Sequence, residues 1–406
     1  MSEALLPGEG ATERPAPRVS APLWLPALFT LAGTLAMHIF VPALPDAGAE
    51  LGASDATMQM TVTLYLLGMA FGQLVYGPLS DRFGRRPVLM GGLALYVVGG
   101  LAAALAPHAG SLVAARLFQA LGGCAGLVLG RAIVRDTTEG SEAARRMALM
   151  NLLITIGPGL APILGSAMNV ALGWRSILFL LCALGVATLL CAWRLLPETG
   201  TRETLPKGVL ARHYVSLLRS PAFIGLAIGG SCATTAMYGF VAAAPFIYID
   251  QLGRPPLEVG FYLCALISGV WIGSMLARQL VVRLGSECLI RRGNALSLLG
   301  ALAFLAGTLL GQLSVPLVVA STFLFSLGAG TASPLALTTA IGLNLKVIGS
   351  ASGLYGFTQM MVGVLCTALV TLGDDPALAT ALVLTGAGLT AQVALRLGLS
   401  YAARSR

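Results

Sequence analysis

Charged residues are scarce in this chain of 406 residues. Asp, Glu, Lys and Arg together make up 10% of it, whereas soluble domains carry about 25%. A water-soluble globule of this length could not cover its surface with so few charges, so the composition excludes an ordinary soluble fold. Hydrophobic residues account for 56% of the chain, and lipid is therefore the expected solvent for most of it.

Patterns of catalytic and metal-ligating residues are also lacking. The three histidines, His38, His108 and His213, lie in separate regions, and the seven cysteines form no CxxC pair. The sequence contains no G-x-x-x-x-G-K-[ST] motif for nucleotide phosphates. A membrane-embedded enzyme would need a cluster of such groups. We therefore predict no enzyme activity, no cofactor and no metal site.

Basic residues give the chain a net charge of +8, but they are confined to short loops. No patch of aromatic and basic residues of the kind that binds nucleic acid accompanies them, so nucleic acid is excluded as the expected partner. Loops rich in basic residues alternate along the chain with loops that are poor in them. The loops on the second side contain only two basic residues, Arg175 and Arg254. Positively charged loops stay in the cytoplasm, which predicts that both termini are cytoplasmic.

Twelve apolar runs are long enough to cross a bilayer as helices, which takes about 20 residues each. They follow residues 1–20, which are rich in Pro, Gly and charge and are predicted to form a disordered cytoplasmic tail. The pattern predicts an all-α integral membrane protein. Its spans are expected at about 22–42, 57–79, 88–106, 110–133, 146–168, 174–195, 221–249, 257–282, 289–312, 315–340, 349–372 and 376–400.

The two halves of the chain echo each other. MHIFVPALP at 37–45 is similar to MYGFVAAAP at 237–245, an offset of 200 residues. Gly84 and the arginine two positions before it match Gly285 and Arg283 at an offset of 201. Two matches at nearly equal offsets indicate a duplicated six-helix unit, and parallel repeats of this kind are a transporter architecture.

The longest polar interior stretch separates these repeats. We predict two pseudo-symmetric six-helix bundles, whose boundaries follow from that stretch. The N-terminal bundle is predicted over 21–196, a cytoplasmic loop over 197–220 and the C-terminal bundle over 221–406.

The densest cluster of charge is YGPLSDRFGRRPVLMGG, residues 76–92, between the second and third spans. It resembles the loop-two signature of the major facilitator superfamily, G-x-L-x-D-R-x-G-R-[KR]. The resemblance implies a cytoplasmic latch between the bundles in the outward-open state, with Asp81 set against a helix N-terminus and an arginine. The alternative is a basic loop that only fixes topology. The matching residues are Gly77, Leu79, Asp81, Arg82, Gly84, Arg85 and Arg86.

Other stretches narrow the resemblance. RLFQALGG at 116–123 is similar to the family's span-four signature, and GPGLAPILGS at 157–166 is similar to the Gly/Pro signature of its drug:proton antiporters. FVPALPDAGAELGAS, PETGTRETL and GSASGLYGFTQM resemble the bicyclomycin/chloramphenicol resistance exporters. Resemblance to that subfamily implies a monomer in the bacterial cytoplasmic (inner) membrane that exports a small-molecule substrate in exchange for protons. The Gly/Pro motif comprises Gly157, Pro158, Gly159, Pro162 and Gly165.

Polar side chains within the apolar runs are functional candidates, because they are costly in lipid. The family resemblance places spans 1, 4, 7 and 10 around a central cavity, which His38 and Arg116 would face together. Gln119 shares a helical face with Arg116. Ordinary packing accounts better for the aromatic candidates than a cavity wall does. The further candidates for the cavity wall are Asn151, Gln359, Tyr238 and Phe246.

His38 is the candidate proton carrier, because its unperturbed pKa of about 6.5 lies near physiological pH. Members of the subfamily often have Asp at this position, and no Asp or Glu lies in the interior of a predicted span. A neutral to positive cavity disfavours lipophilic cations. The sequence therefore favours proton-coupled export of small neutral or weakly acidic amphipathic compounds. An uptake permease or a dedicated metabolite exporter of the same fold is the alternative.

Overall fold

The computed structural model describes Pro22 and residues 24–138, 157–200, 208–343 and 347–404, and most of these residues are helical. The first half contains α1 (Trp24–Ile39), α2 (Leu44–Leu51), α3 (Asp55–Phe83), α4 (Arg85–Ala104), α5 (Ala109–Thr137), α6 (157–172) and α7 (Trp174–Leu195). The second half contains α8 (Val209–Leu218), α9 (Pro221–Thr235), α10 (Met237–Phe246), α11 (Pro256–Leu284), α12 (Ser286–Leu309), α13 (Val315–Gly342), α14 (Ile348–Val370) and α15 (Pro376–Arg404).

Eleven helical segments within the described residues are long and apolar enough to cross a membrane. They correspond to eleven of the twelve predicted spans. The fifth predicted span, 146–168, lies partly outside the described residues, and its described part is α6. Large apolar side chains such as Val98, Phe118 and Leu310 are more than half exposed, as expected for faces that contact lipid. The prediction of an all-α membrane protein is confirmed.

The first and seventh spans are not continuous helices. The first is interrupted after Ile39 by a 3₁₀ turn over Val41–Ala43 before α2 begins. The seventh is interrupted at Ala236, between α9 and α10, and ends in a π-helical turn over Ile247–Gln251. Proline lies in or just before the irregular turn in both spans, where its missing N–H interrupts regular hydrogen bonding. Irregular backbone at membrane depth is tolerated where protein covers it or where it lines a cavity.

The predicted duplication is visible in the backbone. Helices α3 and α11 each contain 29 residues, and their bounds differ by 201 positions at both ends. Gly84 and Gly285 form the one-residue junctions that follow these helices, with φ of 101° and 76°. Gly52 and Gly253, also 201 positions apart, have φ of 60° and 63°. Residues with a side chain rarely adopt a positive φ, so glycine is required at the same turns of both halves.

The second loop is shorter than the sequence indicated. Asp81 and Arg82 belong to the last turn of α3, and Arg85 already begins α4. Only Gly84 separates the two helices, because its positive φ reverses the chain within a single residue. The charged residues therefore lie on helices with fixed directions, and not in an extended turn.

One central helix organises each half. In the first half, α5 packs against α1, α3 and α4, and in the second, α13 packs against α9, α11 and α12. The halves meet mainly through α3 against α14 and through α6 against α11. The latter contact is close at Gly260, where an added Cβ would lie 2.7 Å from the Pro162 carbonyl oxygen. The boundaries 21–196, 197–220 and 221–406 remain predictions.

Candidate functional site

A cavity of about 220 Å³ lies between the two halves. His38 and Tyr238 line it about halfway along the first and seventh spans. Gln359 also lines it, as expected from the sequence. We call this space the central cavity. The remaining lining residues are Thr34, Met37, Gln73, Leu127, Arg131, Pro158, Met237, Ile267, Val270, Leu337, Ser352, Tyr355, Gly356 and Met360.

A second cavity of about 380 Å³ adjoins it on the side predicted to be cytoplasmic. We call it the vestibule. Its wall includes Asp81 of α3, His213 of α8, and Gly349 and Ser350 in the first turn of α14. Both cavities are lined by Gln73, Arg131 and Ser352. These three residues, here called the neck, mark where the central cavity borders the vestibule.

His38 is 4% exposed and is held by its own helix. Its Nδ1 lies 3.0 Å from the carbonyl oxygen of Thr34. A carbonyl only accepts hydrogen bonds, so Nδ1 carries the proton of the neutral ring and Nε2 is left as the acceptor. The imidazole centre is 6.0 Å from the ring centre of Tyr238. The cavity thus brings together side chains from the two halves that lie 200 positions apart.

Arg116 does not line the central cavity, contrary to the expectation that it faces His38 across that space. It lies inside the first half, 1% exposed, and donates to the carbonyl oxygen of Ala36 at 2.7 Å and to Gln119 Oε1 at 2.6 Å. Its guanidinium carbon is 4.3 Å from the ring centre of Tyr65. The last turn of α1 offers the negative end of a helix dipole, which stabilises the cation there.

Two tyrosines hold the same helix. Tyr65 donates to the carbonyl oxygen of Gly33 at 2.8 Å, and Tyr96 donates to that of Ala32 at 3.1 Å. Together with Arg116 they form a set of donors to α1, here called the α1 clamp. Glycines let α1 and α5 approach closely: an added Cβ at Gly33 would lie 2.6 Å from the Gly123 carbonyl oxygen. The clamp therefore fixes the helix that carries His38.

Phe246 and Gln119 do not line the described part of the central cavity. Phe246 is 1% exposed and belongs to the hydrophobic core, because α10 directs it into packed side chains. Asn151 lies outside the described residues. Gln119 is fully buried and accepts a hydrogen bond from Arg116. Its Nε2 has no hydrogen-bond partner within the described part of the chain.

The Gly/Pro motif packs α6 against both halves. A Cβ at Gly165 would collide with the carbonyl oxygen of Ile39, where α1 ends. One at Gly159 would lie 3.6 Å from Ile267 of α11. Pro158 lines the central cavity, Gly157 lies against Leu31 of α1, and the Pro162 carbonyl approaches α11. Glycine at positions 157 and 165 permits contacts that a side chain would block.

The loop-two residues form a compact charge cluster within the first half. Arg85 Nη1 is 2.5 Å from Asp81 Oδ1, and Arg85 Nε is 2.9 Å from Asp136 Oδ2 at the end of α5. Glu198 accepts from the backbone N–H of Arg85 at 2.8 Å and of Arg86 at 3.3 Å. Its carboxylate therefore satisfies the N-terminal donors of α4.

The signature residues differ in where they point. Gly77 and Asp81 line the vestibule, whose wall also includes the first turn of α14. Arg82 lies outside it, 5.1 Å from the ring centre of its neighbour Phe83. Arg86 donates to the carbonyl oxygen of Trp193 at 2.7 Å. Asp81 thus lines the same cavity as a helix N-terminus of the other half, while its ion-pair partner Arg85 belongs to its own half.

Sequence reasoning missed several residues of this site. Arg131 falls near the end of the predicted fourth span, 110–133, and was not among the candidates, but α5 continues to Thr137 and places it in the neck. Asp136 lies near the end of the same helix. It directly follows an arginine in the sequence, and nothing in that pattern marked it as a functional candidate. Glu198 belongs to PETGTRETL, and the carboxylate directly after the sixth span was the available signal. Gln73 stands out only as an amide within an apolar run.

Comparison with known proteins identifies one family. The family model described as Major Facilitator Superfamily matches residues 27–367. An uncharacterized MFS-type transporter, YdgK of Bacillus subtilis, is 29% identical over 367 residues, which cover 87% of this chain and 89% of that protein. A bicyclomycin resistance protein homolog of Haemophilus influenzae is 26% identical and covers 82% of this chain and 84% of its own.

A chloramphenicol resistance protein of Pseudomonas aeruginosa is 29% identical, over 83% of this chain and 80% of that protein. Among solved structures, a D-xylose-proton symporter superposes with a TM-score of 0.70 at 16% identity. The match covers 91% of this chain and 96% of the symporter. At that identity the structural likeness shows the fold alone.

Proposed function

The chain belongs to the Major Facilitator Superfamily, and from this premise we propose that it exports small amphipathic compounds in exchange for protons by alternating access. The observation that carries the proposal is the central cavity. It lies between two duplicated halves, where His38 of one faces Tyr238 of the other. Transporters of this architecture bind substrate near the midplane at the interface of their repeats.

The cavity wall favours uncharged or weakly acidic amphipathic substrates. Met37 and Met360 offer adaptable apolar surface, while Gln73 and Gln359 offer hydrogen bonds. No Asp or Glu is among its lining residues within the described part of the chain. The bicyclomycin and chloramphenicol resistance relatives support export of such compounds.

The two ends of the central cavity differ. At the neck it borders the vestibule on the side predicted to be cytoplasmic. At the other end, the 3₁₀ turn Val41–Ala43 of the first half contacts α10 and α11 of the second. This arrangement supports loading of substrate from the cytoplasm, as an exporter requires.

Transport by reconstituted protein tests the proposal. Proteoliposomes oriented with the vestibule side outward would be loaded at low internal pH and offered chloramphenicol or other amphipathic compounds externally. An exporter accumulates compound inside as internal protons leave, and an ionophore that dissipates the gradient abolishes accumulation. Accumulation with protons moving in the same direction as the compound would instead favour the uptake permease. Absence of transport across a broad panel would contradict the proposal.

The orientation itself gives a further prediction. The substitution Arg212→Cys, made in a background without native cysteines, places an exposed thiol on α8. This thiol is expected to react with an impermeant reagent only after the membrane is permeabilised. His108→Cys, between α4 and α5, serves as the matched control and is expected to react in intact cells. Impermeant thiol reagents and mass shift on gels provide the measurement. Labelling of position 212 from outside would overturn the assignment of cytoplasmic termini.

Asp81 is expected to act in the latch. Asp81→Asn removes the 2.5 Å ion pair to Arg85 and the charge that lines the same cavity as the α14 N-terminus, and contacts of these kinds contribute about 0.3–2 kcal/mol. We expect transport to slow several-fold while insertion is unchanged, measured as initial rate per inserted protein. Glu287→Gln is the matched control, because it removes the exposed Glu287–Arg291 pair at the corresponding end of the second half. Equal rates for Asp81→Asn and wild type would reject the latch role.

A further inference from the structure

We propose that Arg131 binds an acidic group of the transported compound, so that the preferred substrates are amphipathic anions such as aromatic carboxylates. This inference rests on the proposed transport function and adds the chemical class of its substrate. It identifies a specificity-determining residue that was not among the candidates from the sequence.

The position of Arg131 is the first observation. It lies on α5, six residues before the helix ends at Thr137. Its side chain is exposed, and it lines both the central cavity and the vestibule. A compound that occupies either space therefore lies beside this residue.

The second observation is that this cation has no counter-ion within the described residues. Nearby arginines are occupied: Arg85 pairs with Asp81 and Asp136, and Arg135 lies 4.0 Å from Asp136. Arg131 forms no ion pair or hydrogen bond with any residue in the described ranges. Ionisable residues that line a cavity of a membrane protein mark substrate or ion pathways. A carboxylate on the substrate would supply the missing charge through two parallel hydrogen bonds.

The rest of the wall fits the remainder of such a molecule. Met37, Tyr238 and Met360 supply apolar and aromatic surface beyond the neck, and Gln359 supplies an amide. No carboxylate of the described central cavity competes with a ligand for Arg131. An aromatic anion would thus place its acidic group at the neck and its ring toward His38 and Tyr238.

Matched ligand pairs separate charge recognition from general binding. Indole-3-acetate with indole-3-acetamide, and 3-phenylpropionate with 3-phenylpropionamide, differ in charge and little in shape. Binding to purified wild-type protein, Arg131→Gln, Arg131→Lys and Arg135→Gln would be measured by calorimetry, and transport by counterflow in proteoliposomes. Arg135→Gln is the control because this residue is one helical turn away and lines only the vestibule. Thermal unfolding midpoints and monodispersity show that each variant is folded.

Wild type is expected to bind each carboxylate more tightly than its amide. Arg131→Gln should weaken carboxylate binding about tenfold to a hundredfold, the range for loss of a hydrogen bond to a charged group. Amide binding should stay within about twofold, and Arg131→Lys should recover part of the preference. Arg135→Gln should retain the wild-type preference.

Several outcomes overturn the proposal. Equal weakening of acid and amide by Arg131→Gln would make the residue structural. Wild-type protein that prefers the amides, or binds no member of either pair, would exclude an anion site. Transport of neutral compounds together with no carboxylate binding would reject the anion site and leave the exporter proposal standing. Selective carboxylate binding with no transport would support the site and contradict the exporter proposal.

Discussion

Replacement of Arg116 by alanine is expected to lower the transport rate about tenfold to a hundredfold, the effect of losing one or two hydrogen bonds from a charged group. The cause is indirect, because Arg116 lies outside the central cavity. Its guanidinium holds the Ala36 carbonyl at 2.7 Å in the last turn of α1. His38 follows two residues later, so loss of the contact frees the turn that positions the imidazole.

The variant Arg116→Lys tests whether charge alone is sufficient at this position. Arg116→Lys keeps the charge, but one ammonium group cannot reproduce the planar fork that reaches Ala36 and Gln119 while stacking on Tyr65. We expect it to be largely inactive. Initial rates would be measured in proteoliposomes over a range of pH, since a residue that positions the proton carrier should change the pH profile. A general packing defect would lower the rate equally at every pH.

Tyr96→Phe provides the matched control for Arg116. It removes one hydroxyl donor to α1, the 3.1 Å bond to the Ala32 carbonyl, and leaves every charge in place. A net loss of about 0.5–1.5 kcal/mol is typical for one hydrogen bond, so its rate should fall only modestly. Full transport by Arg116→Ala would show that the α1 clamp does not need its cation.

His38→Gln is expected to abolish uphill accumulation on a pH gradient while substrate binding and passive exchange persist. Glutamine retains hydrogen-bonding groups near the Thr34 carbonyl, but it cannot accept a proton near neutral pH. Nε2 of His38 is the group proposed to take up the proton, because Nδ1 is already committed to that carbonyl. The accumulation ratio in proteoliposomes should fall to that of passive equilibration, with exchange measured by counterflow.

The same substitution elsewhere controls for loss of a histidine. His108 is exposed and contacts Ser111 at the start of α5, away from the central cavity. His108→Gln should accumulate substrate as wild type does. If His38→Gln still drives substrate uphill, His38 is a hydrogen-bonding residue of the cavity wall and another group carries the proton.

The fold followed from the sequence because its main constraints are local. Apolar length predicted the spans, and the glycine at the second loop predicted a tight turn that recurs at Gly285. The echo between MHIFVPALP and MYGFVAAAP located the duplication. The structure adds that His38 and Tyr238, which occupy matching positions in these two stretches, lie 6.0 Å apart between their ring centres.

The candidate site was harder to predict from the sequence, because helix periodicity does not show which face of a helix packs against which neighbour. Arg116 and Arg131 lie on the same helix, and 15 positions at 3.6 residues per turn put them only about 60° apart. Packing decides between them: close contact with α1 buries Arg116, while the last turns of α5 border the neck. A pattern of single residues could not distinguish these surroundings.

Contact between His38 and Tyr238 has an evolutionary consequence. Residues related by an internal repeat can touch only near the axis that exchanges the repeats. In a homodimeric ancestor of two parallel six-helix units, that position would have faced its own copy, and one substitution would have altered both sides at once. Fusion into a single chain removed that restriction, so one copy could become an ionisable imidazole while the other became a phenol. The asymmetry at this contact is therefore a product of fusion that no pair of identical subunits could have reached.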